Sequence, residues 1–189
     1  VAGLAGRFTN VVYIGSTYDE PLPRAFIDDA LTGNIPVMWS GFNIWQLAKT
    51  DADRAAFTQR YGWDAATSYI DSADRVTKIS SNGASLKRNE LNSGGIIAPH
   101  ITREKDVKVL GRAECSKPDG AATACASVAQ SGTTSFPWAV SSSGMTFIGE
   151  IPLTYLGEQD RYIAAADILL DFLQPGAQQF RQAAVRLED

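Results

Sequence analysis

Tyr18, Asp19 and Glu20 leave the end of one apolar run, Val11–Gly15, while Trp39, Ser40, Asn43 and Trp45 lie at or near the end of a second, 35–40. Aromatic faces of this kind can cover the C–H surfaces of a sugar ring, and amides, hydroxyls and carboxylates can take its hydroxyl groups. If the two runs are parallel strands, these residues stand where ligands collect in open α/β sheets, beyond the carboxyl ends of the strands. The same residues also have a purely architectural reading. In that reading Trp39 and Trp45 pack helix against sheet, and Tyr18 and Asp19 serve a turn.

The elements that must position them can be read from period and punctuation. Val11–Gly15 reads as a buried strand, and loop 16–21 leads into a helix over about 23–32 with Phe26, Ile27, Ala30 and Leu31 on one face and Gly33 as its C-cap. A second buried strand over 35–40 turns at Gly41 into a helix over 43–49, and Asp51 reads as the N-cap of a helix over 52–61 closed by Gly62. Strand, helix, strand, helix with tight loops predicts an α/β fold with a parallel, doubly wound sheet. The pattern then changes. Segments 75–79 and 85–88 flank Asn82 and Gly83 as a hairpin, 136–140 and 145–149 form another turning at 142–144, and about 70–149 as a whole reads as a β-hairpin-rich insertion. A last helix over 159–173 carries Tyr162, Ile163, Ala166, Leu169, Leu170 and Leu173 at helical spacing, and Pro175 and Gly176 end it. Residues 1–10 read as the tail of a preceding element, so a first strand–helix unit is expected upstream of Val1.

The chain has 189 residues, 44% apolar and 20% charged, with a net charge of −4. That balance offers no electrostatic footprint for nucleic acid, and no apolar run approaches the ~18 residues of a membrane span. Cys115 and Cys125 bracket a turn-rich loop that could bring them together, which predicts a disulfide and an extracytoplasmic, periplasmic or secreted, setting. Two free thiols in a surface loop are the alternative. His100 is the single histidine, and it has no companion cluster for a zinc site.

Segments 15–23 (GSTYDEPLP) and 35–47 (IPVMWSGFNIWQL), with 94–97 (GGII), 161–173 (RYIAAADILLDFL) and 184–189 (AVRLED), resemble an uncharacterised branch of the polysaccharide deacetylases, in which an α/β domain precedes the deacetylase barrel. The resemblance implies an α/β domain over 1–175, then a linker and the first strand of the barrel over 176–189. It also implies that Glu188 is a base and Asp189 a metal ligand once that following domain is present. A divalent metal is expected there, with no cofactor in these 189 residues. The same segments are similar to a degenerate class I glutamine amidotransferase domain of flavodoxin-like layout. On that comparison the nucleophile falls at about Gly41, which has no side chain to attack a carbonyl, and the late His-Pro-Glu corresponds to 149–152, which has no histidine.

These readings combine into one expectation: a non-catalytic accessory domain of a metal-dependent polysaccharide deacetylase. Its partners would be the downstream catalytic domain and a polysaccharide, with no nucleic acid and no membrane span. Two alternatives stay open. One is an independent hydrolase using the Tyr18/Asp19 and Trp39/Asn43 cleft, with Asp19 or Glu20 as acid or base; the other is a pure scaffold.

Overall fold

The computed structural model describes residues 3–70, 75–88, 95–125, 132–152 and 159–176. Segment 177–189, which holds Glu188, Asp189 and the expected strand near Val185, lies outside the described residues.

The first unit is β1 (Val11–Gly15), α1 (Arg24–Thr32) and β2 (Val37–Gly41). Pro23 stands immediately before α1, where its missing N–H costs nothing and its fixed φ suits the entry. α1 buries Phe26, Ile27, Ala30 and Leu31, the face its spacing predicts. β1 and β2 pair in parallel, from Val11 opposite Val37 to Gly15 opposite Gly41. The expected helix after β2 is a 3-10 helix, Ile44–Ala48, because only a short stretch separates Asn43, at φ 73°, from the cap of the next helix. That cap is Thr50 rather than Asp51: its hydroxyl accepts the Asp53 N–H at 3.1 Å. Asp51 instead opens α2 (Asp51–Tyr61), where a carboxylate favours the positive end of the helix dipole.

β3 (Trp63–Ile70), β4 (Val76–Ser81), β5 (Ala84–Lys87), β6 (Ile96–Ile101), β7 (Lys108–Cys115), β8 (Ser135–Ser142), β9 (Met145–Ile148) and α3 (Gln159–Leu173) follow. Both expected hairpins form. Asn82 and Gly83 have φ of 49° and 77°, and Ser143 and Gly144 have 45° and 87°. Paired positive φ values mark the two-residue turn that matches strand twist.

The protein is mixed α/β, and its main sheet is not parallel throughout as expected. Seven strands lie in the order β1-β2-β9-β8-β7-β4-β5. β1, β2 and β9 run parallel, whereas β9–β8, β8–β7, β7–β4 and β4–β5 are antiparallel. The physical reason lies in the connections. A tight turn obliges β8 and β9 to run antiparallel, while the other edge of β9 pairs with β2. The hairpin-rich segment thereby continues the parallel strands as one sheet.

Alternation along β2 shows the layering. Val37 and Trp39 enter a core with residues of α1 and α2, and Met38 enters a second core with Ala164, Ala165 and Ile168 of α3. Helices therefore cover both faces. β3 and β6 form a separate antiparallel ribbon, joined to the sheet where the Ile97 N–H donates to the Gly149 carbonyl at 2.7 Å. Only glycine fits at that junction, since a Cβ on Gly149 would lie 2.1 Å from the Ile97 carbonyl oxygen. Cys115, at the end of β7, is disulfide-bonded to Cys125 across a Cα–Cα distance of 5.4 Å.

Candidate functional site

The site is built where β1 and β2 end. The Phe42 N–H donates to the Gly15 carbonyl at 3.0 Å, which brings the two strand exits together. β2 then turns sharply through Gly41 at φ 80° and Asn43 at φ 73°. Asn43 is fully buried and fixes the surroundings. Its Nδ2 donates to the Tyr13 hydroxyl at 3.0 Å and to the Thr17 carbonyl at 2.8 Å, and its Oδ1 accepts from Gln46 Nε2 at 3.2 Å. Gln46 continues the network, donating to the Glu20 carbonyl at 2.8 Å and accepting the Leu22 N–H at 3.1 Å. Two side-chain amides thus hold the 16–23 loop against the 3-10 turn. Buried amides satisfied in this way resist loosening, because each broken bond leaves a desolvated group unpaired.

Over this frame opens a cleft of about 500 Å³. Tyr18, Phe42, Asn43, Ile44 and Trp45 line it from the β1 and β2 exits, and Thr67 of β3 with Ile97 of β6 line it from the ribbon. Tyr18 meets Phe42 edge to face with ring centroids 5.9 Å apart. The Lys49 ammonium sits 6.0 Å from the Trp45 ring centroid, and the indole Nε1 of Trp45 is buried without a hydrogen-bond partner among the described residues. No carboxylate, histidine or cysteine is among the described lining residues. Such a lining suits binding by ring faces and a few polar groups.

Of the residues singled out in the sequence, Tyr18, Asn43 and Trp45 are brought together in the cleft. Asp19 is exposed at φ 62° and stands outside the described lining. Trp39 is wholly buried between Tyr13 and Phe26, with ring centroids at 4.2 and 5.8 Å, and its Nε1 donates to the Phe42 carbonyl at 2.8 Å. It supports the cleft from beneath. Ser40 is buried too, with its hydroxyl donating to the Glu150 carbonyl at 2.7 Å. At Gly41, where the amidotransferase resemblance would put a nucleophile, a Cβ would meet Ile151 Cγ1 at 2.6 Å and the Gly15 carbonyl oxygen at 2.9 Å. A side chain there has no room. His100 is exposed on β6, and among the described residues no group of three His, Cys, Asp or Glu side chains is placed to hold a metal.

Sequence reasoning missed the ribbon wall. β3 reads WDAATSYI, whose polar residues break any two-residue alternation, and so Thr67 carried no signal. It also missed a buried charge cluster beside the site. Glu150, 4% exposed, accepts from Trp138 Nε1 at 2.8 Å, from Arg88 Nε at 3.2 Å and from Arg161 Nη1. Arg88 also donates to the Val76 carbonyl at 3.1 Å. These partners come from β8, the end of the β4–β5 hairpin and α3. One carboxylate therefore ties three elements to the end of β9.

Comparison of the chain with protein-family models, with curated proteins and with solved structures finds no match. The site's own chemistry therefore carries the functional argument. No helix among the described residues is long and apolar enough to cross a membrane.

Proposed function

We propose that this α/β domain binds carbohydrate without catalysing its conversion, as the accessory domain of an extracytoplasmic, metal-dependent polysaccharide deacetylase. One observation carries the reading: a cleft at the carboxyl ends of two parallel strands, lined by Tyr18, Phe42 and Trp45, with no carboxylate, histidine or cysteine among its described lining. The resemblance of segments 15–23 and 35–47 to the amidotransferase-like domain of a deacetylase branch supplies the rest. On it, residues 1–175 form that domain, Glu188 and Asp189 open the barrel as base and metal ligand, and the divalent metal belongs to the barrel. The Cys115–Cys125 disulfide supports an extracytoplasmic setting, since such bonds persist outside reducing compartments. The independent-hydrolase alternative requires an acid at the cleft, and Asp19 and Glu20 are exposed and outside its described lining.

Titrating the chain with neutral and N-acetylated oligosaccharides, read by tryptophan fluorescence and calorimetry, tests the proposal. Saturable binding that Trp45→Ala weakens by about tenfold is expected, the equivalent of one aromatic contact. Absence of binding up to millimolar oligosaccharide, or binding indifferent to both Trp45→Ala and Tyr18→Ala, refutes it.

A further inference from the structure

The chain has four tryptophans, and three of them find an acceptor for the indole N–H. Trp39 Nε1 donates to the Phe42 carbonyl at 2.8 Å, Trp63 Nε1 to the Ser142 hydroxyl at 3.2 Å and Trp138 Nε1 to the Glu150 carboxylate at 2.8 Å. All three side chains are wholly buried. Trp45 differs on both counts. It is only partly buried, it lines the cleft and it belongs to neither hydrophobic core. Its Nε1 is nevertheless buried, with no acceptor among the described residues. A buried donor left unpaired costs its full desolvation, and such groups are few in native structures.

The rest of the lining narrows what that donor is for. Among the described lining residues, side-chain N–H groups belong to Asn43 and Trp45 alone. The Asn43 amide already donates to the Tyr13 hydroxyl and to the Thr17 carbonyl, which takes both of its hydrogens. Trp45 Nε1 is therefore the side-chain N–H that remains to meet a ligand in the cleft. Its partner must be an acceptor. An ammonium has no lone pair to offer, and the Lys49 ammonium 6.0 Å from the ring centroid opposes a second cation. The indole N–H lies in the plane of the ring, so the acceptor approaches edge-on.

We propose that Trp45 recognises the cleft's ligand through its N–H edge: the indole turns on binding and donates to an oxygen of a sugar, while Tyr18 and Phe42 offer ring surface. The turn is required because Nε1 is buried, and it is available because neither core holds the ring. This inference rests on the carbohydrate reading of the cleft and adds the group that selects for an acceptor oxygen.

The indole resonances in a nitrogen–proton correlation spectrum test it, with the Trp45 signal assigned by its loss in Trp45→Phe. The chain is titrated with cellotetraose, with its N-acetylated counterpart chitotetraose and, separately, with dimethyl sulfoxide, an acceptor that has no donor. A tetramer should move the Trp45 signal downfield and leave the three paired indoles in place, and dimethyl sulfoxide should move the same signal. Trp45→Phe keeps an aromatic ring but should weaken tetramer binding by about tenfold, the scale of one hydrogen bond. Undiminished tetramer affinity in Trp45→Phe, or a Trp45 signal that stays in place while a tetramer saturates the chain, overturns the inference and leaves the carbohydrate reading standing. A signal moved by dimethyl sulfoxide but by neither tetramer refutes the carbohydrate reading and upholds the donor. A signal that no probe moves overturns the inference.

Discussion

The parallel strands β1, β2 and β9 and the antiparallel strands β8, β7, β4 and β5 share one sheet but are organised in opposite ways. Two-residue turns at Asn82–Gly83 and Ser143–Gly144 close the β4–β5 and β8–β9 hairpins, β7 joins β4 and β8 across longer connections, and the antiparallel part carries the disulfide. In the parallel part, β2 and β9 pair although most of the chain lies between them. The loops that leave its strand ends must then be held by side chains, which is the task of Asn43 and Gln46. The cleft forms in the part that long-range closure builds. Hairpins return directly to their neighbours and leave no diverging loops, whereas parallel strands send their loops away from the sheet and open a crevice between them.

The difference can be broken most forcefully where the two parts meet. Glu150→Gln leaves Arg88 and Arg161 buried without their shared carboxylate, and removing one partner of a buried ion pair costs about 3–5 kcal/mol. Urea denaturation should show that loss. A stability change within error would mean the cluster does not join the two parts. Replacing Cys115 and Cys125 together with serine should cost about 2–3 kcal/mol on the loop-entropy model, while the distant cleft keeps its ligand affinity. Asn43→Ala should give the opposite profile. Its stability loss, about 1–3 kcal/mol for the groups left unpaired, should come with loss of cleft binding as the 16–23 loop is released. If the cysteine variant also loses binding, the two parts are coupled more tightly than their construction implies.

The smallest effect concerns pH. Paired hydrogen bonds from the Arg24 guanidinium hold the Asp53 carboxyl below its ordinary value of 3.8 against the opposing effect of burial, with a smaller contribution from the Thr50 side chain. A group whose folded pKa is depressed contributes stability above its unfolded pKa and loses it as pH falls through the folded value. Melting temperature should therefore decline below about pH 4, and less steeply in Asp53→Asn. Asp106, drawn down by Arg103, should add a minor contribution of the same sign.

Much of this was legible residue by residue. α1 and α3 carry their helical spacing openly, and Asn82–Gly83 declares its turn. Tyr18, Asn43 and Trp45 could be nominated because they follow apolar strands, the position at which α/β sheets bind ligands. Trp39 could not be separated from Trp45 by type or neighbourhood. One is sealed beneath Phe26 and the other lines the cleft, a distinction set by which side of the β2 exit each faces. β3 was hidden because Asp64 lies in it, buried and paired with Arg54, so the strand does not read as apolar.

By itself the sequence determined α1, α3, the two hairpin turns and the absence of a side chain at Gly41, and it offered Cys115 and Cys125 as a disulfide pair, since periodicity, turn residues and short loop closure act over a few neighbours. Only the tertiary structure decided that β9 joins β2, that the sheet becomes antiparallel beyond it, and that β3 and β6 supply the far wall of the cleft. Strand pairing is a choice among distant segments whose local patterns are nearly equivalent. That choice is made by burial on both faces at once and by close contacts such as Gly149 against Ile97, which no single stretch of sequence contains.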